Sequence, residues 1–215
     1  MKSTLINMVA VLFSITLIAS AGVGAVNMIT VEPIAAAKAA ATEAALGVVL
    51  PAFDKTESEE LTIDEMPIVV YTATNAGQTV GYAVETMTKS GFSGVVKLMV
   101  GFLPDGTINN VNVLQQAETP GLGTKMCDEG NPLLAGVKGK EGTATFRVKK
   151  DGGEVDALTA ATISSRAYLD AVNRACVAMM NVTGQEAPDG VSGATTVAEN
   201  AEQTEPAAQE GGQNE

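Results

Sequence analysis

The alternation of polar and apolar positions changes character several times along the chain. Residues 5–26, "LINMVAVLFSITLIASAGVGAV", form an apolar run of 22 residues without a charge. At 1.5 Å per residue, a helix of that length spans the roughly 30 Å hydrocarbon core of a bilayer. Residues 35–50, "AAAKAAATEAALGVVL", favour helix throughout and stop near Gly47 and Pro51. The pattern then shortens into β-rich runs at 68–74, 80–88, 95–102 and 108–114, divided by the turn formers "NAGQ", "KSGFSG" and "PDG". A fifth such run, 143–149, precedes "KKDGG". From 163 to 180, Leu169, Val172, Cys176 and Met179 recur at spacings of three and four, which gives a helix one apolar face. These elements predict an α+β fold: a mostly antiparallel sheet with packed helices, preceded by one N-terminal transmembrane helix.

The same reading sets the organisation. Residues 1–4 are an N-terminal stub, 5–26 a membrane anchor, 27–66 a helical linker and domain entry, and 67–182 the folded domain. Lys2 is the only charge before the anchor and Glu32 the first after it. One cation on the short side places the N-terminus in the cytoplasm and the domain outside it. The alternative is a cleaved secretory signal, with the small residues "ASA" at 19–21 as the cut site. Residues 183–215 carry seven acids and no Lys or Arg. With almost no large apolar side chain, that tail is expected to be disordered.

Composition removes several classes of function. There is no histidine, so Ser-His-Asp triads, Cys-His pairs and histidine-rich zinc sites are excluded. A net charge of −12 argues against nucleic acid as a partner. Two cysteines, Cys127 and Cys176, are too few for a disulfide scaffold or a four-cysteine metal site, and no metal site is expected. They read as two separate buried thiols, with a single bridge as the alternative.

Three stretches can carry chemistry. In "SGFSG", residues 90–94, Gly91 and Gly94 bracket an aromatic side chain and permit close approach of a ligand to the backbone. In "ETPGLGT", residues 118–124, an acid, hydroxyls and exposed amides could grip a polar heteroaromatic ring, although an ordinary surface loop has the same composition. In "DALTAATISS", residues 156–165, hydroxyls crowd a helix entrance. One of them should cap that helix. A helix N-terminus is also a ready phosphate site, and a threonine held there could carry a phosphate as an ester.

Taken together and in this order, the anchor followed by "VNMITVEPIAAAK", the loop "ETPGLG" and "DALTAATISS" resemble the RnfG (RsxG) subunits of Rnf electron-transport complexes. More broadly they resemble the FMN-binding domain shared with the NqrC subunits of sodium-pumping quinone reductases. The resemblance runs from about residue 3 to 181. In that family a flavin transferase, with FAD as donor, esterifies the flavin phosphate to a threonine of a short motif. Carried over, this implies covalent FMN on Thr162, with Asp156, Thr159, Ala161 and Ser164 as the matching motif residues. Glu118, Thr119, Leu122, Gly123 and Thr124 would line the ring, and Ser164, Ser165 and nearby amides would hold the phosphate. The family's motif glycine is Ala160 here, a change without consequence if that position need only be small.

A second match, "DGVSGATT" at 189–196, makes Thr195 a possible second flavin site, although nothing near it in sequence would bury a ring. The resemblance implies an electron-transfer subunit, with no catalytic residues of its own, in a complex that couples electron transfer between ferredoxin and NAD to ion translocation. It implies a single-pass protein of the bacterial inner membrane with a periplasmic C-terminal domain. Its partners would be the membrane and iron–sulfur subunits of the complex and a flavin transferase. The alternatives are an NqrC-like subunit and a membrane-anchored binding module that carries no flavin.

Overall fold

Two-residue turns build the first half of the domain. Asp64 and Glu65 (φ 51° and 59°) close one hairpin, and Ala76 and Gly77 (φ 49° and 79°) the next. Positive φ at both central positions gives a turn whose twist matches that of paired strands. The computed structural model describes residues 5–184. Five strands, β1 (Lys55–Ile63), β2 (Met66–Asn75), β3 (Gln78–Thr88), β4 (Val96–Phe102) and β5 (Ile108–Gln115), form one antiparallel sheet in that order. The helices are α1 (Leu5–Val49), α2 (Pro132–Val137) and α3 (Thr162–Thr183). The architecture is the α+β one expected.

Alternation sorts the side chains of this sheet onto two faces. Ile68, Val70, Val84, Leu98, Val100 and Phe102 belong to one buried cluster, against α3. Ala73, Ala83 and Met99 belong to a second, which takes in Ala45, Leu46, Val49 and Leu50. Gly101 allows that approach, because a Cβ there would stand 2.1 Å from the Val49 carbonyl oxygen. Asn109 Nδ2 donates to the same oxygen at 2.8 Å, and Asn110 Nδ2 to that of Val48 at 3.1 Å. These bonds satisfy carbonyls left open at a helix end.

That helix end belongs to α1, which is long and apolar enough to cross a membrane. The described residues divide into two compact units between Ala44 and Ala45, with the break inside α1. In the first unit, Ser14 Oγ donates to the Ala10 carbonyl at 2.8 Å and Thr16 Oγ1 to that of Phe13 at 2.9 Å. Hydroxyls satisfied by their own helix make no demand on water.

Helix α3 is buried almost all round from Ser164 to Met180, rather than along the single stripe its periodicity suggests. Its polar residues are correspondingly engaged. Asp170 accepts from Thr88 Oγ1 at 2.6 Å, and Arg174 donates to Asp64, Asp170 and the Met87 carbonyl. Asn173 accepts from the Phe146 N–H at 2.8 Å and donates to the Phe146 carbonyl at 2.9 Å. That pair corrects the expected strand at 143–149. Phe146 and Val148 are buried, but the Phe146 backbone is satisfied by a side chain, and its neighbourhood forms only an isolated bridge from Val148 to Val155.

Strand β1 falls within the segment read as helical linker and domain entry. Both cysteines are free; Cys176 is buried, whereas Cys127 is exposed, which corrects the expectation of two buried thiols. Apart from Thr183 and Gly184, which close α3, the acidic tail and Thr195 lie outside the described residues, as do residues 1–4.

Candidate functional site

The entrance to α3 has no side-chain cap. Its N-cap position is Ala161 (φ −133°, ψ 49°), and no side chain accepts from the first-turn amides. This corrects the expectation that one of the hydroxyls caps the helix. The hydroxyls nearby are committed elsewhere. Ser165 Oγ accepts from the Leu158 N–H at 2.9 Å and donates to the Ala161 carbonyl at 2.8 Å. Ser164 Oγ donates to Glu118 Oε2 at 2.5 Å. Neither serine therefore offers the free hydroxyl that was expected for a phosphate. The open amides of an uncapped helix end, at the positive end of its dipole, are what remains for an anion.

Just before this entrance the chain makes a left-handed step. Ala160 adopts φ 59°, the region a glycine occupies at no cost and a Cβ-bearing residue at roughly 1–2 kcal/mol. The position therefore demands conformational freedom, and the expectation that it need only be small is corrected.

Glu118 ties the surrounding loops to this point. It is 3% exposed, and its Oε1 accepts from the Ser93 N–H at 3.1 Å while Oε2 holds Ser164. Its own N–H donates to Gln116 Oε1 at 2.7 Å. Two glycines make room for it. A Cβ on Gly91 would lie 2.7 Å from Glu118 Oε1, and one on Gly123 would lie 2.7 Å from Glu118 Cβ and 2.6 Å from Ser164 Oγ. One carboxylate thus joins the 90–94 loop, the 118–124 loop and the start of α3.

Above this junction lies a cleft of about 310 Å³, lined by Phe92, Thr119, Leu122, Gly123 and residues 160–164. Phe92 (65% exposed), Ile163 (47%) and Leu122 (39%) leave apolar surface open around it. Three large apolar side chains exposed about one cleft suit a planar ring. Thr162 opens onto the same space, and its Oγ1 accepts from Lys150 Nζ at 3.2 Å.

Of the expected site residues, Thr119, Leu122, Gly123, Ala161, Thr162 and Ser164 line this cleft, while Glu118 and Gly91 form the junction beside it. Thr124 Oγ1 accepts from the Gly121 N–H at 2.9 Å and shapes the loop, and Gly94 (φ 135°) shapes its own turn. Asp156 and Thr159 are not among the lining side chains; Asp156 pairs with Lys149 at 2.8 Å. Sequence reasoning missed Phe92, Ile163 and Lys150. The aromatic between two glycines was the available signal for Phe92, and nothing in the sequence marked Lys150.

Residues 91–177, which contain all of these groups, match the FMN-binding domain family. Over a longer stretch the chain is 33% identical to the G subunit of the ion-translocating oxidoreductase complex of Shewanella baltica. That alignment has 191 residues and covers 81% of this chain and 89% of the relative. The chain belongs to the RnfG family. The G subunits of the same complex from Shewanella loihica and Vibrio cholerae are 39% and 40% identical over 122 and 113 residues. Those alignments cover 55% and 51% of this chain, and 57% and 54% of the relatives, so the chain spans about half the length of these two RnfG proteins. The FMN-binding domain match begins at the cleft's own loop and ends within α3, so the cleft lies in the flavin domain of the RnfG family.

Proposed function

We propose that this chain carries FMN joined through a phosphoester to Thr162, and that it relays electrons within a membrane complex coupling electron transfer between ferredoxin and NAD to ion translocation. The observation that carries this reading is the entrance of α3. An uncapped helix start presents Thr162 to a cleft with three exposed apolar side chains. The donor set suits both ends of the group. Phe92, Leu122 and Ile163 would contact the ring and shield it from water, with Thr119 at its edge. The amides of the first turn of α3 would hold the phosphate. Glu118 would fix the two loops against each other rather than touch the phosphate. When bound, FMN supplies redox chemistry that can link one-electron and two-electron carriers.

Helix α1 would anchor the domain as a single membrane pass, with the domain on the periplasmic side, as the lone Lys2 suggests. Its partners would be the membrane and iron–sulfur subunits of the complex, and a flavin transferase would mature it. The relatives above are G subunits of ion-translocating oxidoreductase complexes, which favours this assignment over an NqrC-like one.

The experiment is intact-mass spectrometry with peptide mapping on the chain co-expressed with a flavin transferase, beside Thr162→Ala. An FMN-sized increment on the peptide holding Thr162, lost in the variant, is the expected result. An increment that survives the substitution would move the attachment elsewhere, with Thr195 the next residue to map. No increment in either protein would overturn the covalent reading and favour a flavin-free binding module.

A further inference from the structure

Lys150 lies in the short 3-10 turn Lys149–Asp151, and its ammonium donates to Thr162 Oγ1 at 3.2 Å. The cations around it are differently placed. Lys149 is paired with Asp156 at 2.8 Å. Arg166 grips Asp151 through two nitrogens, each at 2.7 Å, and so pins this turn to α3. Among the described residues, no carboxylate pairs with Lys150. The Asp151 carboxyl is held below the usual carboxylate range, chiefly by the hydrogen bond from Arg166, with the charges of Arg147 and Lys150 also contributing. Lys149 and Arg166 are each held by a carboxylate, whereas Lys150 directs its ammonium at Thr162, in a protein whose net charge is −12. An ammonium so placed draws an anion.

We propose that Lys150 takes the charge of the phosphoester formed on Thr162, an inference that rests on the reading of Thr162 as the attachment site. In the transfer, the Thr162 O–H bond breaks and an Oγ1–P bond forms. The P–O–P bond of the FAD donor breaks, AMP leaves with the electron pair, and the hydroxyl proton passes to the transferase or to solvent. The resulting diester keeps one negative charge on its two non-bridging oxygens. An ammonium already within hydrogen-bond reach of Oγ1 lies close to those oxygens, and the bond it offers is charge-assisted. The open amides of α3 supply orientation, whereas Lys150 supplies a full positive charge.

The test uses the full chain purified without flavin, then incubated with a flavin transferase and FAD. Lys150→Met, Lys150→Arg and, as a control, Lys149→Met are compared with wild type. The rate of the FMN-sized mass increment is one readout, and the phosphorus NMR resonance of the loaded protein is the other. Lys150→Met is expected to slow loading roughly tenfold, the effect of one lost charge-assisted hydrogen bond, and to move the phosphorus resonance. Lys150→Arg is expected to recover both, and Lys149→Met to behave as wild type. Wild-type loading on Thr162 with Lys150→Met unchanged in rate and resonance would overturn this inference alone, and so would equal slowing in Lys149→Met. A wild-type chain that gains no increment would overturn it together with the reading it rests on.

Discussion

Ser164 Oγ and Glu118 Oε2 stand 2.5 Å apart across 46 residues of sequence, both buried, with the hydroxyl donating to the carboxylate. The contact joins the first turn of α3 to the loop that precedes the Gly123–Cys127 turn. Ser164→Ala removes one donor to a buried carboxylate and leaves the Ser93 N–H as the other. A loss of roughly 1–3 kcal/mol is expected, read as a lower urea midpoint at unchanged slope. Glu118→Gln should cost less than Glu118→Ala. The serine hydroxyl can turn to accept from the new amide nitrogen, and the amide oxygen still accepts from Ser93. Equal losses in the two Glu118 variants would contradict this account of the junction.

Ala160 holds a backbone conformation that suits glycine, with φ at 59°. Ala160→Gly releases strain of roughly 1–2 kcal/mol, against a gain in unfolded-chain entropy of about 0.4–1 kcal/mol. The thermal midpoint is therefore expected to hold or rise. Ala160→Val adds a branched side chain at positive φ and is expected to lower the midpoint by several degrees. If valine were tolerated as well as glycine, the left-handed step would have no energetic weight.

Where burial follows a simple period, the sequence and the structure agree. Strands β2 to β5 fall within a few residues of the apolar runs that predict them, because each run buries alternate residues against α3 or the end of α1. Strand β1 escaped notice because "KTESEELTI" lies at the sheet edge, pairs only with β2, and points Glu57, Glu59 and Glu60 at solvent. Charge on an edge strand discourages further pairing but hides the strand from any search for apolar alternation. The reverse error arose at 143–149, whose apolar residues are buried while Asn173 replaces a ladder partner. Thr162 and the 118–124 loop were legible because their motif is local. Lys150 was not, since it reaches Thr162 only through a turn held by the Asp151–Arg166 pair.

That pair gives the site a dependence on acid. The Arg166 hydrogen bond is the main cause of the lowered Asp151 value, so the folded value lies below the unfolded one, near 3.9. Stability from a depressed carboxyl is complete above the unfolded value and is lost as pH falls through the folded one. Asp151→Asn should therefore be less stable than wild type at pH 7, and the gap should narrow as the pH drops below about 4. Urea unfolding of both proteins at neutral and acid pH measures it. A gap that stayed constant with pH would mean that the charge of Asp151 is not what it contributes.

The two cysteines should react in sequence rather than together. Burial pushes the Cys176 thiol up to about 12, and it lies among the core residues of α3, so it is both protonated and out of reach. Cys127 is also raised, by partial burial and by the charge of Asp128, yet it stands exposed at the end of the Gly123–Cys127 turn. The thiolate is the reactive form, so labelling at Cys127 should be slow at neutral pH and quicken as the pH rises. Titration of the native protein with a thiol reagent at mildly alkaline pH should report one group before denaturant is added and the second only afterwards. Two groups reacting without denaturant would mean that α3 opens readily under native conditions. No group in denaturant without reductant would mean a disulfide, which the free thiols of this fold contradict.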